Sequence, residues 1–258
     1  MKAAAIAWWA IVLSLLLFLL GPIFLVVFFS FGSNALIGFP MGPPTFAWYE
    51  KLMSDTGFHS AFETSAIVAV STALFATAAG TAAALALDRI TPRLARSITA
   101  AISLPVMLPP LVIAIGIVVL FVRGFSLGLG IPVVVLGHVL VTQPFVILIV
   151  LSRLRSFDWS SVDAARDLGA SPLRAFRLVI LPQIGSAVVG SALIAASISL
   201  DDFIIASFTL GGGNTISTFV WGKLRTTLDP SINAIATVLL VLSVVSAAVA
   251  LRLTRYRG

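Results

Sequence analysis

Residues 131–182 read IPVVVLGHVLVTQPFVILIVL followed by SRLRSFDWSSVDAARDLGASPLRAFRLVILP. The first 21 of these residues contain no Lys, Arg, Asp or Glu. A bilayer core about 30 Å thick is crossed by roughly 20 apolar residues in a helix. The quoted stretch therefore begins with a predicted membrane span, and the charged segment behind it is predicted to leave the membrane.

Five further stretches also lack these four charged residue types, and they lie at about 8–31, 66–87, 98–122, 183–200 and 232–251. The stretch at 8–31 is longer than the apolar region of a signal peptide, so we expect it to be retained. The stretch at 183–200 is short, and we expect it to continue past Asp201 and Asp202. With 59% hydrophobic and 10% charged residues, the chain is predicted to be an all-α, polytopic membrane protein with six transmembrane helices.

The basic residues give the orientation. Six spans place both termini on the same side, and that side would carry 12 of the 16 Lys and Arg residues. The opposite side carries only Lys51, Arg123, Lys223 and Arg225. Basic loops stay in the cytoplasm, so both termini are predicted to be cytoplasmic. The net charge of +6 thus reports topology, and no nucleic-acid partner is expected.

Several kinds of chemistry are excluded by composition. The chain has no Cys, so disulfides and thiolate sites are absent. Its two His residues, His59 and His138, argue against a metal centre. No Gly-x-x-x-x-Gly-Lys-[Ser/Thr] phosphate loop occurs, because Gly222-Lys223 lacks both the upstream Gly and the following hydroxyl. We expect a chain that is not an enzyme, holds no cofactor, and takes any energy from a partner.

The charged segment at 152–182 is far longer than the 2–8 residues that usually connect helices in a bundle. Ser160 is predicted to cap a short helix, with Asp163 at the acidic position of a capping box. Gly169 suits the left-handed residue that ends such a helix. Ser171-Pro172 then begins a second helix, which Pro182 is expected to interrupt.

Two interpretations of this segment follow from its residues. Small side chains at Ala164, Ala165 and Gly169 would let another protein approach the backbone closely. The alternative is a solvated connector lying at the membrane interface. The charged side chains around the small patch suit either interpretation, and they are Asp163, Arg166, Asp167, Arg174 and Arg177.

The same residues carry a resemblance. Asp163-Ala164-Ala165, Gly169, and Val179-Ile180-Leu181-Pro182 resemble the EAA signature of ABC importer permeases. That signature is Glu-Ala-Ala, three residues, Gly, nine residues, and Ile-x-Leu-Pro. Asp163 stands in place of Glu and Val179 in place of the first Ile. The resemblance extends over about residues 61–251.

The resemblance implies a coupling helix in the loop 152–182, seated on a separate ATPase subunit that binds ATP and Mg. The residues implied in coupling are Asp163, Ala164, Ala165, Arg166, Gly169, Ala170, Leu181 and Pro182. Implied partners are a second homologous permease subunit, two cytoplasmic ATPase subunits, an external solute-binding protein and the lipid of a bacterial inner membrane. Residues 1–60 would form the first helix and an outer loop, 61–252 the permease core, and 253–258 a cytoplasmic tail.

Asp201 and Asp202 are the chemical anomaly of the chain. A carboxylate at the bilayer centre costs about 2.5–3.5 kcal/mol on insertion scales, so intramembrane acids tend to face a cavity. One interpretation is that at least one acid faces the translocation path and attracts a cation. The other is that both are interfacial acids that end a helix.

The sequence around the acids suggests a substrate. Residues 199–203, 206–208 and 229–237 resemble polyamine importer permeases, whose substrates are polycations. Pro110 departs from the pattern, because polyamine members often carry an acid there. The resemblance implies a substrate path that includes Asp201, Asp202, Phe203, Pro109 and Pro110.

Prolines and polar groups inside the spans also carry predictions. Pro105, Pro109 and Pro110 remove amide donors within the third span, so we expect this helix to bend and to border the path. His138 and Gln143 in the fourth span are expected to form interhelical hydrogen bonds rather than to bind a ligand.

Three alternative functions can be compared with the sequence. An importer of the same family for an oxyanion or ferric ion stays open, although the spans offer an oxyanion no Lys or Arg. A self-energised secondary transporter or channel stays open too, although no internal duplication is found. An intramembrane protease is excluded, because adjacent acids on one helix point about 100° apart.

Overall fold

The computed structural model describes residues 2–34, 37–226 and 230–255, with the side chains of 2–5 and 246–255 left aside. The described residues are mainly helical and contain no strand, only an isolated bridge between Gly32 and Pro44. Their α-helices are α1 (Lys2–Phe29), α2 (Ala47–Ser54), α3 (Thr56–Asp88), α4 (Pro92–Met107), α5 (Pro110–Val118), α6 (Ile131–Leu154), α7 (Ser160–Asp167), α8 (Pro172–Ala175), α9 (Leu181–Asp201), α10 (Ile204–Thr209), α11 (Ile216–Thr226) and α12 (Ser231–Arg255). Two π-helical segments, Val119–Gly124 and Phe176–Ile180, follow α5 and α8.

Two compact units are present. One comprises Met1–His59 and Phe219–Val249, and the other comprises Ser60–Thr218 and Ala250–Gly258. The predicted tail at 253–258 extends beyond Arg255, the last described residue, and Asp229 of the polyamine-like segment also lies outside the described residues.

Within the described part of the chain, four helical runs are long and apolar enough to cross a membrane, and they are Ile6–Phe29, Thr56–Asp88, Ile131–Leu154 and Pro172–Asp201. A fifth run consists of Pro92–Met107 and Pro110–Gly124, which meet at a bend of 93°. The start of the predicted last span is an apolar helix over Ser231–Val245. The all-α membrane fold is confirmed, and the described helices are consistent with six spans.

The predicted bend of the third span is confirmed at Leu108 and Pro109. Both residues are extended, with ψ values of 146° and 133°. A residue before proline avoids the helical region because of the proline ring, which accounts for Leu108. Pro110 then opens α5, where a missing N–H costs nothing.

The core of the second unit lies where α6 packs against α3 and α9. Val146, Ile147 and Val150 of α6 and Ile184 of α9 are fully buried. A Cβ at Gly80 of α3 would lie 2.6 Å from a methyl carbon of Val146. Close van der Waals packing of this kind holds helices together in lipid, where the hydrophobic effect offers no driving force.

The prediction that the fifth span continues past both acids is wrong. Helix α9 ends at Asp201, and Asp202 is extended, with φ −68° and ψ 121°. The carboxylate of Asp202 accepts hydrogen bonds from the N–H groups of Ile205 at 3.0 Å and Ala206 at 3.4 Å. Asp202 therefore stabilises the start of a new helix, α10, which competes with continuation of α9.

Candidate functional site

The segment at 152–182 forms two short helices joined by a tight turn. Helix α7 ends at Asp167, and Gly169 in the turn behind it has a φ of +86°, which favours glycine over any residue with a side chain. The N–H of Gly169 donates to the carbonyl of Arg166 at 2.9 Å, and that of Ala170 donates to Ala165 at 3.0 Å. The predicted helix end at Gly169 is confirmed.

The two predicted helix starts have different outcomes. Ser171 accepts a hydrogen bond from the N–H of Arg174 at 3.4 Å, which confirms it as the cap of α8. Ser160 is not a cap, and that prediction is wrong, because Ser160 is already helical and donates its own N–H to the Asp158 carboxylate at 3.0 Å. Asp158 takes the place that the pattern assigned to Ser160.

The predicted interruption at Pro182 is also wrong. Helical conformation continues from Pro172 to Asp201. Pro182 is the second residue after the π-helical segment Phe176–Ile180. A proline ring clashes with the carbonyl four residues before it, here that of Leu178. That carbonyl lies in the wider π turn, a common site of such helix irregularities, so the second helix of the segment continues directly into α9.

Buried side chains fasten the base of α7 to the bundle. Val162 of α7 and Ala175 of α8 belong to one buried cluster with Leu87 of α3, Leu154 of α6 and Ile184 of α9. Val162 thereby places α7 in the same buried cluster as residues of the long helices α3, α6 and α9.

Aromatic and polar contacts add to this attachment. The guanidinium of Arg89, next after α3, lies 3.7 Å from the ring centre of Trp159, and the ring of Phe157 packs edge-on against Trp159 at 4.7 Å. Arg153 donates through Nε to the carbonyl of Gln183 at 3.1 Å. The Gln183 amide donates to the Ser161 hydroxyl at 3.4 Å.

The predicted coupling residues separate into two groups. Six lie on α7 or in the turn behind it, namely Asp163, Ala164, Ala165, Arg166, Gly169 and Ala170. The other two, Leu181 and Pro182, lie in the first turn of α9. Leu181 lines a largely apolar cavity of about 510 Å³ between α3 and α9, so it faces the bundle.

One exposed residue was missed in the sequence. Leu168, which caps the C-terminal end of α7, is 90% exposed. It lies next to Gly169 on a segment that projects from the end of a membrane span. An apolar side chain directly before a helix-ending glycine was the signal that could have singled it out.

The two adjacent acids have unlike surroundings. The Asp202 carboxylate lies 3.2 Å from Nε2 of His138, and their side chains are 16% and 1% exposed. Nε2 has no hydrogen-bond partner among the described residues, so the two groups are close neighbours without a hydrogen bond. Asp201 is exposed, and no described residue pairs with its carboxylate. The expectation that His138 forms interhelical contacts is confirmed, because its Nδ1 lies 2.7 Å from the hydroxyl of Ser199 in α9.

The remaining predicted path residues lie at two places in the chain. Phe203 follows Asp202 directly, and Pro109 and Pro110 stand at the break before α5. Helices α5 and α10 pack through Ile117 and Ile205. The structure thus brings α5 against α10 but records no contact of either proline with an acid, and the path stays a prediction.

Within the other unit, Lys223 of α11 donates to Asp55 at 2.8 Å. This hydrogen bond is the main cause that lowers the pKa of Asp55 below its ordinary value of 3.8. Asp55 also accepts the N–H of Phe58 at 3.1 Å, at the start of α3. The pair, which the sequence did not reveal, links the start of α3 to α11.

Comparison with known proteins gives consistent findings. Residues 76–256 match the family model of the binding-protein-dependent transport system inner membrane component. The chain is 35% identical over 241 residues to the putrescine transport system permease protein PotI of Escherichia coli K12, covering 90% of this chain and 85% of PotI. It is 32% identical over 225 residues to the spermidine/putrescine transport system permease protein PotC of the same strain, covering 87% and 84%.

A solved structure with a similar fold is that of a bacterial alginate ABC transporter in complex with an alginate pentasaccharide-bound periplasmic protein. One of its chains superposes with a TM-score of 0.73 at 16% identity, covering 99% of this chain and 96% of that one.

Proposed function

Because the chain belongs to the family of binding-protein-dependent transport system inner membrane components, we propose that it forms half of a translocation path for polyamines and that α7 couples this path to a separate ATPase. The chain is a permease subunit of an ABC importer. Membership of this family sets aside the alternatives of a self-energised secondary transporter and a channel.

The observation that carries the coupling proposal is the contrast between the two sides of α7. Its base is fastened by the buried Val162 and by the stacking of Trp159 on Arg89. Its tip presents Leu168, 90% exposed, beside the small residues Ala164 and Gly169. Burying one leucine side chain against a partner stabilises a complex by about 1.5–3 kcal/mol. Such a rigidly held apolar tip suits a cleft on another protein, which the proposal identifies as the ATPase.

The substrate proposal rests on Asp201 and on the relatives. A carboxylate without a partner at the end of a membrane span is costly unless water or a cation reaches it. Polyamines are polycations, and a carboxylate attracts their ammonium groups. PotI and PotC, at 35% and 32% identity, are described as putrescine and spermidine/putrescine permeases. An oxyanion would be repelled at the same place.

The remaining partners follow from the family. The proposal places two permease subunits, two ATPase subunits holding ATP and Mg, and an external solute-binding protein in one complex of the bacterial inner membrane. Both termini would face the cytoplasm, because with six spans their side would carry 12 of the 16 basic residues, and basic loops stay in the cytoplasm. The ends of α3 and α6 and the whole of α7 belong to this side.

Transport in proteoliposomes tests the coupling. The complete importer would be reconstituted with Leu168→Asp, with Ser156→Asp as a control that adds the same charge to an exposed site outside α7. We expect Leu168→Asp to lower ATP-driven uptake at least about tenfold, since about 1.5–3 kcal/mol of interface burial is lost, while Ser156→Asp retains uptake. Equal uptake by both variants would contradict the coupling role of α7.

The substrate is tested by the same vesicles. Putrescine and spermidine are expected to be taken up with ATP, and neither an oxyanion nor ferric ion is expected to compete. Uptake of phosphate or ferric ion without uptake of either polyamine would overturn the substrate proposal and leave the coupling proposal standing.

A further inference from the structure

The adjacent acids Asp201 and Asp202 differ in their burial and in the contacts of their carboxylates. We infer that they have separate tasks: Asp202 is a positioning residue that His138 and the start of α10 hold inside the bundle, and Asp201 alone offers a free carboxylate to a cationic substrate. The part that concerns Asp201 rests on the proposed function. The part that concerns Asp202 and His138 does not.

The carboxylate of Asp202 is already occupied. Its Oδ2 accepts the N–H of Ile205 at 3.0 Å and of Ala206 at 3.4 Å, and the same oxygen lies 3.2 Å from Nε2 of His138. Oδ1 lies 3.4 Å from the N–H of Ile205. Both oxygens of Asp202 thus face groups of this chain, and the side chain is only 16% exposed, so little of this carboxylate is open to a substrate ammonium.

His138 is in turn fixed on its other side. Its Nδ1 lies 2.7 Å from the hydroxyl of Ser199, which lies 3.4 Å from the hydroxyl of Thr72. The Ser199 hydroxyl donates to the hydroxyl of Thr72, so it is the Ser199 oxygen that faces Nδ1 of His138. Thr72, His138 and Ser199 are all buried.

These four side chains join four pieces of the fold at one point. Thr72 belongs to α3, His138 to α6, Ser199 to α9, and Asp202 begins the turn into α10. Polar groups buried in a membrane protein hold helices together because no water replaces a lost partner. Gly137, beside His138, allows the close approach of α10, since a Cβ there would lie 2.7 Å from a methyl carbon of Ile205.

Asp201 has none of these contacts. It is the last residue of α9 and is exposed. It is the last of the 30 helical residues that begin at Pro172, so it lies at the end of the span opposite α7. This is the end at which an external binding protein would deliver its ligand.

The matched variants are Asp201→Asn and Asp202→Asn, with Asp202→Ala and His138→Ala as deletions. The amide oxygen of Asn can still accept the N–H of Ile205 but lacks the charge beside His138, so Asp202→Asn should keep more thermal stability and uptake than Asp202→Ala. Asp202→Ala and His138→Ala should lower the melting temperature, and they should lower the uptake of putrescine and spermidine by the same factor.

Asp201→Asn should leave the melting temperature unchanged. It should lower spermidine uptake by about fivefold or more and putrescine uptake less, because spermidine carries the greater charge. A positioning role predicts rescue by Asn at position 202, and a substrate-binding role predicts a loss that depends on substrate charge at position 201.

The two failures are distinguishable. If Asp202→Asn lowers spermidine uptake more than putrescine uptake, or if Asp202→Ala keeps full stability, the separation of tasks is overturned. If the wild-type importer takes up neither polyamine, both the proposed function and the substrate-binding role of Asp201 are wrong. The melting temperatures of the position 202 and His138 variants would still decide whether Asp202 has the positioning role.

Discussion

Replacing Trp159 by Ala tests the attachment of α7 to the bundle without altering its outer face. The indole lies 3.7 Å from the Arg89 guanidinium and packs edge-on against Phe157 at 4.7 Å. Arg89 is exposed, so the cation–π contact is worth about 0.5–1 kcal/mol. The aromatic pair adds about 0.5–1.5 kcal/mol. The variant should therefore weaken the attachment by about 1–2.5 kcal/mol.

This loss raises the equilibrium constant for local opening of α7 by about 5- to 60-fold, at 1.4 kcal/mol per tenfold change. Amide hydrogen exchange over residues 160–170 measures it directly, because these residues lie outside the spans. Exchange in this segment should accelerate by that factor, and the uptake per ATP hydrolysed should fall. The control is Trp221→Ala, which removes a comparable pair with Arg225 at 5.6 Å in the other unit. Unchanged exchange over 160–170 in the Trp159 variant would refute the rigid attachment.

Three further predictions concern single positions. Gly169→Ala places a side chain at a φ of +86°, which costs about 1–2 kcal/mol. Calorimetry should therefore show a lower unfolding temperature, and transport assays should show reduced uptake. Normal uptake by this variant would argue against a need for the turn. Gly80→Val drives a side chain into Val146, because a Cβ at position 80 would lie 2.6 Å from a methyl carbon of Val146. The variant should destabilise the protein by about 1–3 kcal/mol. An unchanged melting temperature in detergent would show that α3 and α6 can move apart at this point without cost. Because the pKa of Asp55 is lowered, its pairing with Lys223 stabilises the fold above about pH 4, and this stabilisation is lost as the pH falls through the lowered pKa. Acid should therefore lower the melting temperature of the wild type more than that of Asp55→Asn. Parallel pH profiles of the two melting temperatures would contradict this prediction.

The spans and the turn at Gly169 could be predicted because they depend on local properties. Length and apolarity decide whether a helix crosses a bilayer, and the left-handed turn that ends α7 requires a residue such as Gly. The break near Pro109 was predictable for the same reason, since proline removes a donor wherever it stands.

The failed predictions depended on competition between neighbouring groups. Asp158 and Ser160 could each stabilise the start of α7, and only the structure shows that Asp158 does. Pro182 breaks an ordinary α-helix, but a preceding π turn accommodates it. Asp202 could have stayed helical, and it ends α9 because its carboxylate binds the start of α10.

The contacts of His138 lay beyond sequence reasoning for a different reason. Ser199 is 61 positions away from it and Thr72 is 127 positions away from Ser199. No local pattern links such residues, and one sequence shows only that a polar side chain in a span needs some partner. The same applies to Asp55 and Lys223, 168 positions apart.

The coupling of α7 to an ATPase is tested most directly by cross-linking, which the absence of Cys from the chain makes selective. Leu168→Cys would be combined with a short thiol-to-amine reagent in the assembled importer, with Leu127→Cys, exposed in the loop on the opposite side of the membrane, as the control. Coupling through α7 predicts a cross-link from position 168 to the ATPase subunit and none from position 127. An assembled, ATP-hydrolysing importer that gives no cross-link from position 168 would contradict it.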